Sequence, residues 1–228
     1  LATLTACALA SAPRTAHTEP ATLGVQEWIS LDRAVIRWLS PETGGPANPQ
    51  FIFERELAFE ARLESLADPD VDPRAYRDRH VHAAMDRHIA ESLLATLPIT
   101  PPPDAETIVR RANEARAILE QRVHGADNLI EAAKAEGMGA DDLSLLFKRK
   151  ACASLYLDRM VAPMLDPTEL ELRALLRTGA TPFKDLPYEQ VAPALARWYV
   201  GERTAQAVEA FFQNARARAV VTVLHSQT

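Results

Sequence analysis

The chain has 228 residues, 47% of them hydrophobic, and a formal net charge of -6. That length can bury a sizeable core, and the charge is spread along the chain without a basic stripe or Arg-aromatic cluster to neutralise a phosphate backbone, which excludes nucleic acid as an expected partner. Eight glycines against sixteen prolines, with Ala and Leu abundant, favour helices punctuated by proline over an all-β architecture.

Residues 1–12, LATLTACALASA, are apolar, small and uncharged, and read as the remnant of a signal peptide inside which the printed chain begins. Within them Leu4-Thr5-Ala6-Cys7 resembles a bacterial lipobox, whose cysteine thiol accepts a diacylglycerol and ties the mature chain to a membrane. Ordinary cleavage after Ala10 or Ala12 is the competing reading. Either route implies export to the periplasm. Residues 13–24 form a Pro/Thr/Ala tether, and the domain proper is expected over 25–228. No other stretch reaches the ~18 apolar residues of a membrane helix. With Cys7 lipidated, Cys152 has no disulfide partner.

From Val25 to Leu39 the pattern alternates, and Ala34 to Leu39 reads as a strand broken by the Gly/Pro-rich stretch after Ser40. Asn48 as N-cap and Pro49 at the first helical position predict a first helix carrying Ile52, Phe59, Leu63 and Leu66 on one face, ended by Asp68-Pro69. A second helix, Tyr76 to Leu97, places Val81, Met85, Ile89 and Leu93 every four residues. Asp104 caps a third, with Ile108, Ala112, Ala115, Leu119 and Val123 along one face. A short helix from Asn128 to Glu136 stops at Gly137, and a longer one runs from Asp141 to Val161, apolar over a broad arc that includes Leu143, Leu145, Phe147, Tyr156 and Met160. After another short helix through Leu176, the longest helix follows Pro187. Its Val191, Ala194, Trp198, Gly201, Ala205, Val208, Phe212, Ala215 and Ala219 fit a 3.5-residue seam, with Pro193 tolerable in the first turn or at a kink. Val220 to Leu224 is a β-branched terminal strand. Since an isolated strand leaves its backbone groups unpaired, the two terminal strands are expected to pair.

The order of these elements resembles the SurA-like periplasmic chaperones, the trigger factor/SurA peptide-binding class, over roughly residues 28–225. The segments that carry the likeness are LDRAVIRWL, YRDRHVHAAMDRHIAESLL, PPPDAETIVRRANEARAI, AEGMGADDLSLLFKRKACASLYLDRMV and PYEQVAPALARWYVGERTAQAVEAFFQNARARAVVTVL. The resemblance implies a mainly α chaperone body with an N-terminal part over 25–165 and a C-terminal helix and strand over 187–225. In parvulin-bearing relatives a prolyl isomerase domain sits between these parts; here the linker 177–186 is too short for one. The loop from Pro41 to Pro49 departs from the family pattern. Implied are binding of unfolded or extended polypeptides, no catalytic residue, no cofactor, and no membrane contact beyond a lipid at Cys7. A homodimer is among the expected states.

His80, His82 and His88, beside Asp78, Asp86 and Glu91, are the only cluster suggestive of a metal. On a helix, however, His80 and His82 point about 160° apart, and no His pair has i, i+3 or i, i+4 spacing, so no metal is expected there. Cys152 has no identifiable base, and Asp141-Asp142 is explained by the helix dipole. Adjacent Phe211 and Phe212 point about 100° apart, so one ring should face a groove unless the helix is buried on two sides. The expected peptide-binding residues are Leu145, Tyr156, Met160, Trp198, Phe211 and Phe212. A scaffold protein with one fixed partner, or one that self-associates, is the alternative.

Overall fold

The computed structural model describes residues 32–69 and 76–224. Cys7, the segment 1–12 and the tether 13–24 lie outside the described residues, as does the start of the pattern at Val25. Among the described residues there are ten regular elements: strands β1 (Ala34–Leu39), β2 (Gln50–Phe53) and β3 (Val220–Val223), and helices α1 (Glu54–Leu66), α2 (Asp78–Thr96), α3 (Ala105–Arg122), α4 (Ala126–Ala135), α5 (Ala140–Tyr156), α6 (Glu169–Thr178) and α7 (Tyr188–Arg218). The fold is mainly helical with one small antiparallel sheet. None of these helices is long and apolar enough to cross a membrane.

The terminal strands pair as expected. β1 and β3 run antiparallel with Ile36 opposite Val223, Trp38 opposite Val221 and Leu39 opposite Val220. The sheet is larger than the sequence pattern suggests, because β2 lies on the other side of β1 in the order β2-β1-β3. The expected helix start at Asn48-Pro49 is therefore corrected: α1 begins only at Glu54. The physical cause is the turn after β1. Gly44 and Gly45 adopt φ of 98° and 61°, a region costly for other residues, and a Cβ on Gly44 would meet the Asn48 Cβ at 3.2 Å. The Asn48 amide donates to the Thr43 carbonyl at 2.8 Å, so it closes this turn and caps no helix. The chain is thus sent back along β1, and Phe51-Ile52-Phe53 suits extended pairing there.

Two apolar clusters share α1. Leu57 and Ala61 join Ile36, Trp38, Ile52, Ile89, Leu93, Phe212 and Ala215, whereas Phe59 and Leu63 join Leu119, Val123, Leu129, Leu146 and Phe147. Each pair is an i, i+4 row, and the rows lie on different sides of the helix, so α1 is buried twice.

The lengthwise seam expected for the longest helix is buried at its two ends and not along its middle. α7 has 31 residues, about 46 Å at 1.5 Å per residue. Its buried residues are Val191 and Leu195 near one end and Phe212 and Ala215 near the other. Trp198 and Val208 are half-buried, and Gly201 and Ala205 are exposed. At its start the Arg173 guanidinium of α6 stacks 4.0 Å over the Tyr188 ring. The helix begins at Tyr188, so Pro193 sits inside it, beyond the first turn. α5 also ends earlier than expected: after Tyr156 the backbone passes into a π turn (Leu157–Val161) and a 3-10 turn (Ala162–Leu165) holding Pro163, which cannot continue an α-helix.

Candidate functional site

Two features stand out in the described residues: an apolar groove between α3 and α5, and a buried charge network where α1, α2 and α5 meet. The groove has a volume of about 460 Å³ and is lined by Ile108, Val109, Ala112, Leu143 and Phe147, with Arg116 and Lys148 on its rim. Its volume lies within the range of small-ligand clefts. Asp104, whose carboxylate accepts from the Thr107 amide, starts α3 at one end of this wall. Val109 lines the groove and is 60% exposed.

The expected binding residues do not converge. Leu145 lies on α5 but is 67% exposed and does not line the groove, which takes its neighbours Leu143, Ser144 and Phe147 instead. Tyr156 ends α5, Met160 lies in the π turn beyond it, and both are half-buried, as is Trp198 on α7. Phe212 is part of the apolar cluster beneath the sheet and Phe211 packs against that same cluster. Their adjacency thus reflects a helix packed on a wide core, and neither ring is a free wall.

The charge network draws Glu56 and Glu60 from α1, Glu91 and His88 from α2, and Arg149 and Lys150 from α5. Glu56 and Glu60 sit one turn apart on α1. Arg149 donates to Glu56 Oε1 at 2.6 Å and also bonds Glu60 Oε1. Lys150 donates to both oxygens of Glu91, at 2.6 and 2.8 Å. His88 Nδ1 stands 3.4 Å from Glu60 Oε1 and 3.7 Å from Glu56 Oε1. Burial alone would push the Glu60 carboxyl up; His88, then Arg149 and Lys150, override it and hold the group at about 2. Burial likewise opposes the Arg149 charge, and Glu60, Glu56 and Glu91 outweigh it, raising that guanidinium further. Three buried atoms of the network have no hydrogen-bond partner among the described residues: Glu60 Oε2, His88 Nδ1 and Arg149 Nε.

The histidine cluster of the sequence divides between different surroundings. His80 approaches Asp68 at 3.2 Å, and exposed His82 turns back on the Asp78 carbonyl at 2.8 Å. Only His88 enters the network. Its partners, Glu56 and Glu60, are on another helix, so spacing along α2 could not reveal them. A signal did exist: Glu60 lies between Phe59 and Ala61 on a helix whose apolar rows wrap both sides, where a charge must be paired.

No protein-family model matches this chain, and neither the curated proteins nor the solved structures yield a match.

Proposed function

We propose that the protein is a periplasmic, chaperone-like binder of unfolded or extended polypeptides that works without isomerase catalysis. The observation that supports this reading is the open groove between α3 and α5, apolar on its floor and basic at Arg116 and Lys148. Such a surface takes up apolar side chains of a segment whose backbone stays solvated, and the Lys148 ammonium on its rim favours clients with acidic flanks, Arg116 being already paired with Glu120 at 2.8 Å. The binding residues are accordingly those of the groove, foremost Val109 and Leu143.

The test is binding of aromatic-rich extended peptides to the full chain, read by fluorescence anisotropy beside suppression of aggregation of an unfolded outer-membrane-type protein. Micromolar affinity is expected, about -8 kcal/mol. Val109→Asp should weaken it about tenfold with the far-UV spectrum unchanged, since an exposed site tolerates the change. Absence of binding by the wild type, or indifference to Val109→Asp, would overturn the reading.

A second reading, a scaffold with one fixed partner or self-association, is favoured by the sheet. β2 and β3 are its two edge strands, and they expose Phe51, Phe53, Val220 and Val223. Exposed apolar edges of this kind are templates for pairing with another chain. A concentration-dependent dimer without peptide binding would select this alternative.

A further inference from the structure

We propose that Glu56, Glu60 and His88 form a site for one divalent cation of the zinc class, which Arg149 fills as an internal counter-cation when no metal is bound. This goes beyond the peptide-binding reading and does not rest on it.

The first ground is spacing. One ligand atom from each of the three residues can be chosen so that all lie within 4.8 Å of one another. The two distances from His88 Nδ1 to the carboxylates, 3.4 and 3.7 Å, compare with the ~3.3–3.4 Å between neighbouring ligands in a tetrahedron of ~2.0–2.1 Å bonds. The second ground is independent of the acidic pair. His88 and Glu60 have side chains only 6% and 5% exposed, yet His88 Nδ1 and Glu60 Oε2 have no hydrogen-bond partner. Held 3.4 and 3.7 Å from the two carboxylates but without a hydrogen bond of regular geometry, this buried imidazole nitrogen stands where a cation between the three side chains would engage it.

Donor chemistry selects the class of ion. One imidazole nitrogen and two carboxylate oxygens suit zinc or its neighbours, whereas calcium and magnesium take all-oxygen sets. Three protein ligands leave a fourth position for water.

Arg149 explains how the site stays folded without metal. Its guanidinium bonds both carboxylates, but its buried Nε makes no hydrogen bond and stands in a long ion pair, 3.8 Å from Glu91 Oε2. The Lys150 ammonium bonds both oxygens of Glu91, and a groove of about 280 Å³ opens beside these two residues. An arriving cation therefore displaces the guanidinium from Glu56 and Glu60 toward Glu91. Since Arg149 belongs to α5 and the metal ligands to α1 and α2, occupancy alters how α5, which is also a wall of the apolar groove, is held to the other two helices.

The experiment titrates the full chain, stripped with EDTA, with Co²⁺ as a spectroscopic stand-in and then with Zn²⁺. Expected is saturable uptake of a single ion with the visible absorption bands of four-coordinate cobalt, lost on adding Zn²⁺. Arg149→Met, which removes the competing cation, should tighten uptake by about tenfold, and His88→Gln should weaken it by about tenfold or more. If His88→Gln does not fold, Glu56→Gln carries the same expectation, because Glu56 is 24% exposed and tolerates the change better. No saturable uptake by either the wild type or Arg149→Met would overturn the proposal. So would uptake that survives removal of His88 or Glu56 undiminished, which would place the ion on exposed histidines.

Discussion

Replacing Arg149 by Met in metal-free buffer isolates what the guanidinium does for the interface of α1, α2 and α5. The Arg149 side chain is 15% exposed and that of Glu60 is 5% exposed, so solvent screens their interaction little. Removing one partner of such a buried pair costs about 3–5 kcal/mol, because the other charge is left desolvated and unpaired. Glu56 is more accessible and can rehydrate in part, which places the expected loss near the lower end, about 3 kcal/mol. With a urea slope of about 2 kcal/mol/M, the unfolding midpoint should fall by about 1.5 M while the slope stays constant. The paired variant Arg149→Met with Glu60→Leu removes charge and orphan together, and should return to within about 1 kcal/mol of the wild type, since apolar replacements of buried ion pairs are often neutral. Equilibrium urea unfolding followed by circular dichroism at pH 7 in EDTA measures all three proteins. A loss below about 1 kcal/mol in the single variant, or a double variant no more stable than the single, would refute the view that these charges are buried and mutually dependent.

Truncation after Ala219 removes β3, whose ladder to β1 is extended by the Leu224 amide donating to the Val35 carbonyl at 2.8 Å. Because Val220 and Val223 are more than half exposed and Val221 partly so, the loss is mainly of backbone bonds at ~1 kcal/mol each, about 2–4 kcal/mol in total by urea unfolding. A truncated chain as stable as the full one would show that the closing strand is ornamental. Glu42 supplies a pH dependence: the Ser40 hydroxyl, then its own backbone amide and Arg218, hold its carboxyl below the ordinary value of 4.5 despite burial. A depressed carboxyl contributes stability that is present above pH 4.5 and lost as pH falls through the lowered value. Glu42→Gln should therefore be less stable at pH 7 and lose less stability between pH 4.5 and 3; an unchanged acid profile would contradict the assignment.

What could be read from the sequence was local. Proline and glycine punctuation, with apolar residues every three or four positions, placed α2, α3, α4 and the start of α5 to within a few residues, and the β-branched run after α7 marked β3, because these signals act between near neighbours in the chain. The pairing of β1 with β3 was also legible, since two strands without local partners had to find each other. Long-range packing was not. Asn48-Pro49 carries the local signature of a helix start, yet the left-handed turn at Gly44 and Gly45 and the presence of β1 made extended pairing the better outlet for the backbone of residues 50–53. The repeat along α7 suggested one continuous seam, but the helix is buried only near its two ends, where α6 and the sheet cluster supply surfaces. The meeting of Glu56, Glu60, His88 and Arg149 belongs wholly to the tertiary structure. They lie on three helices, and electrostatic coupling in a buried interface depends on distance in space, which residue order does not encode.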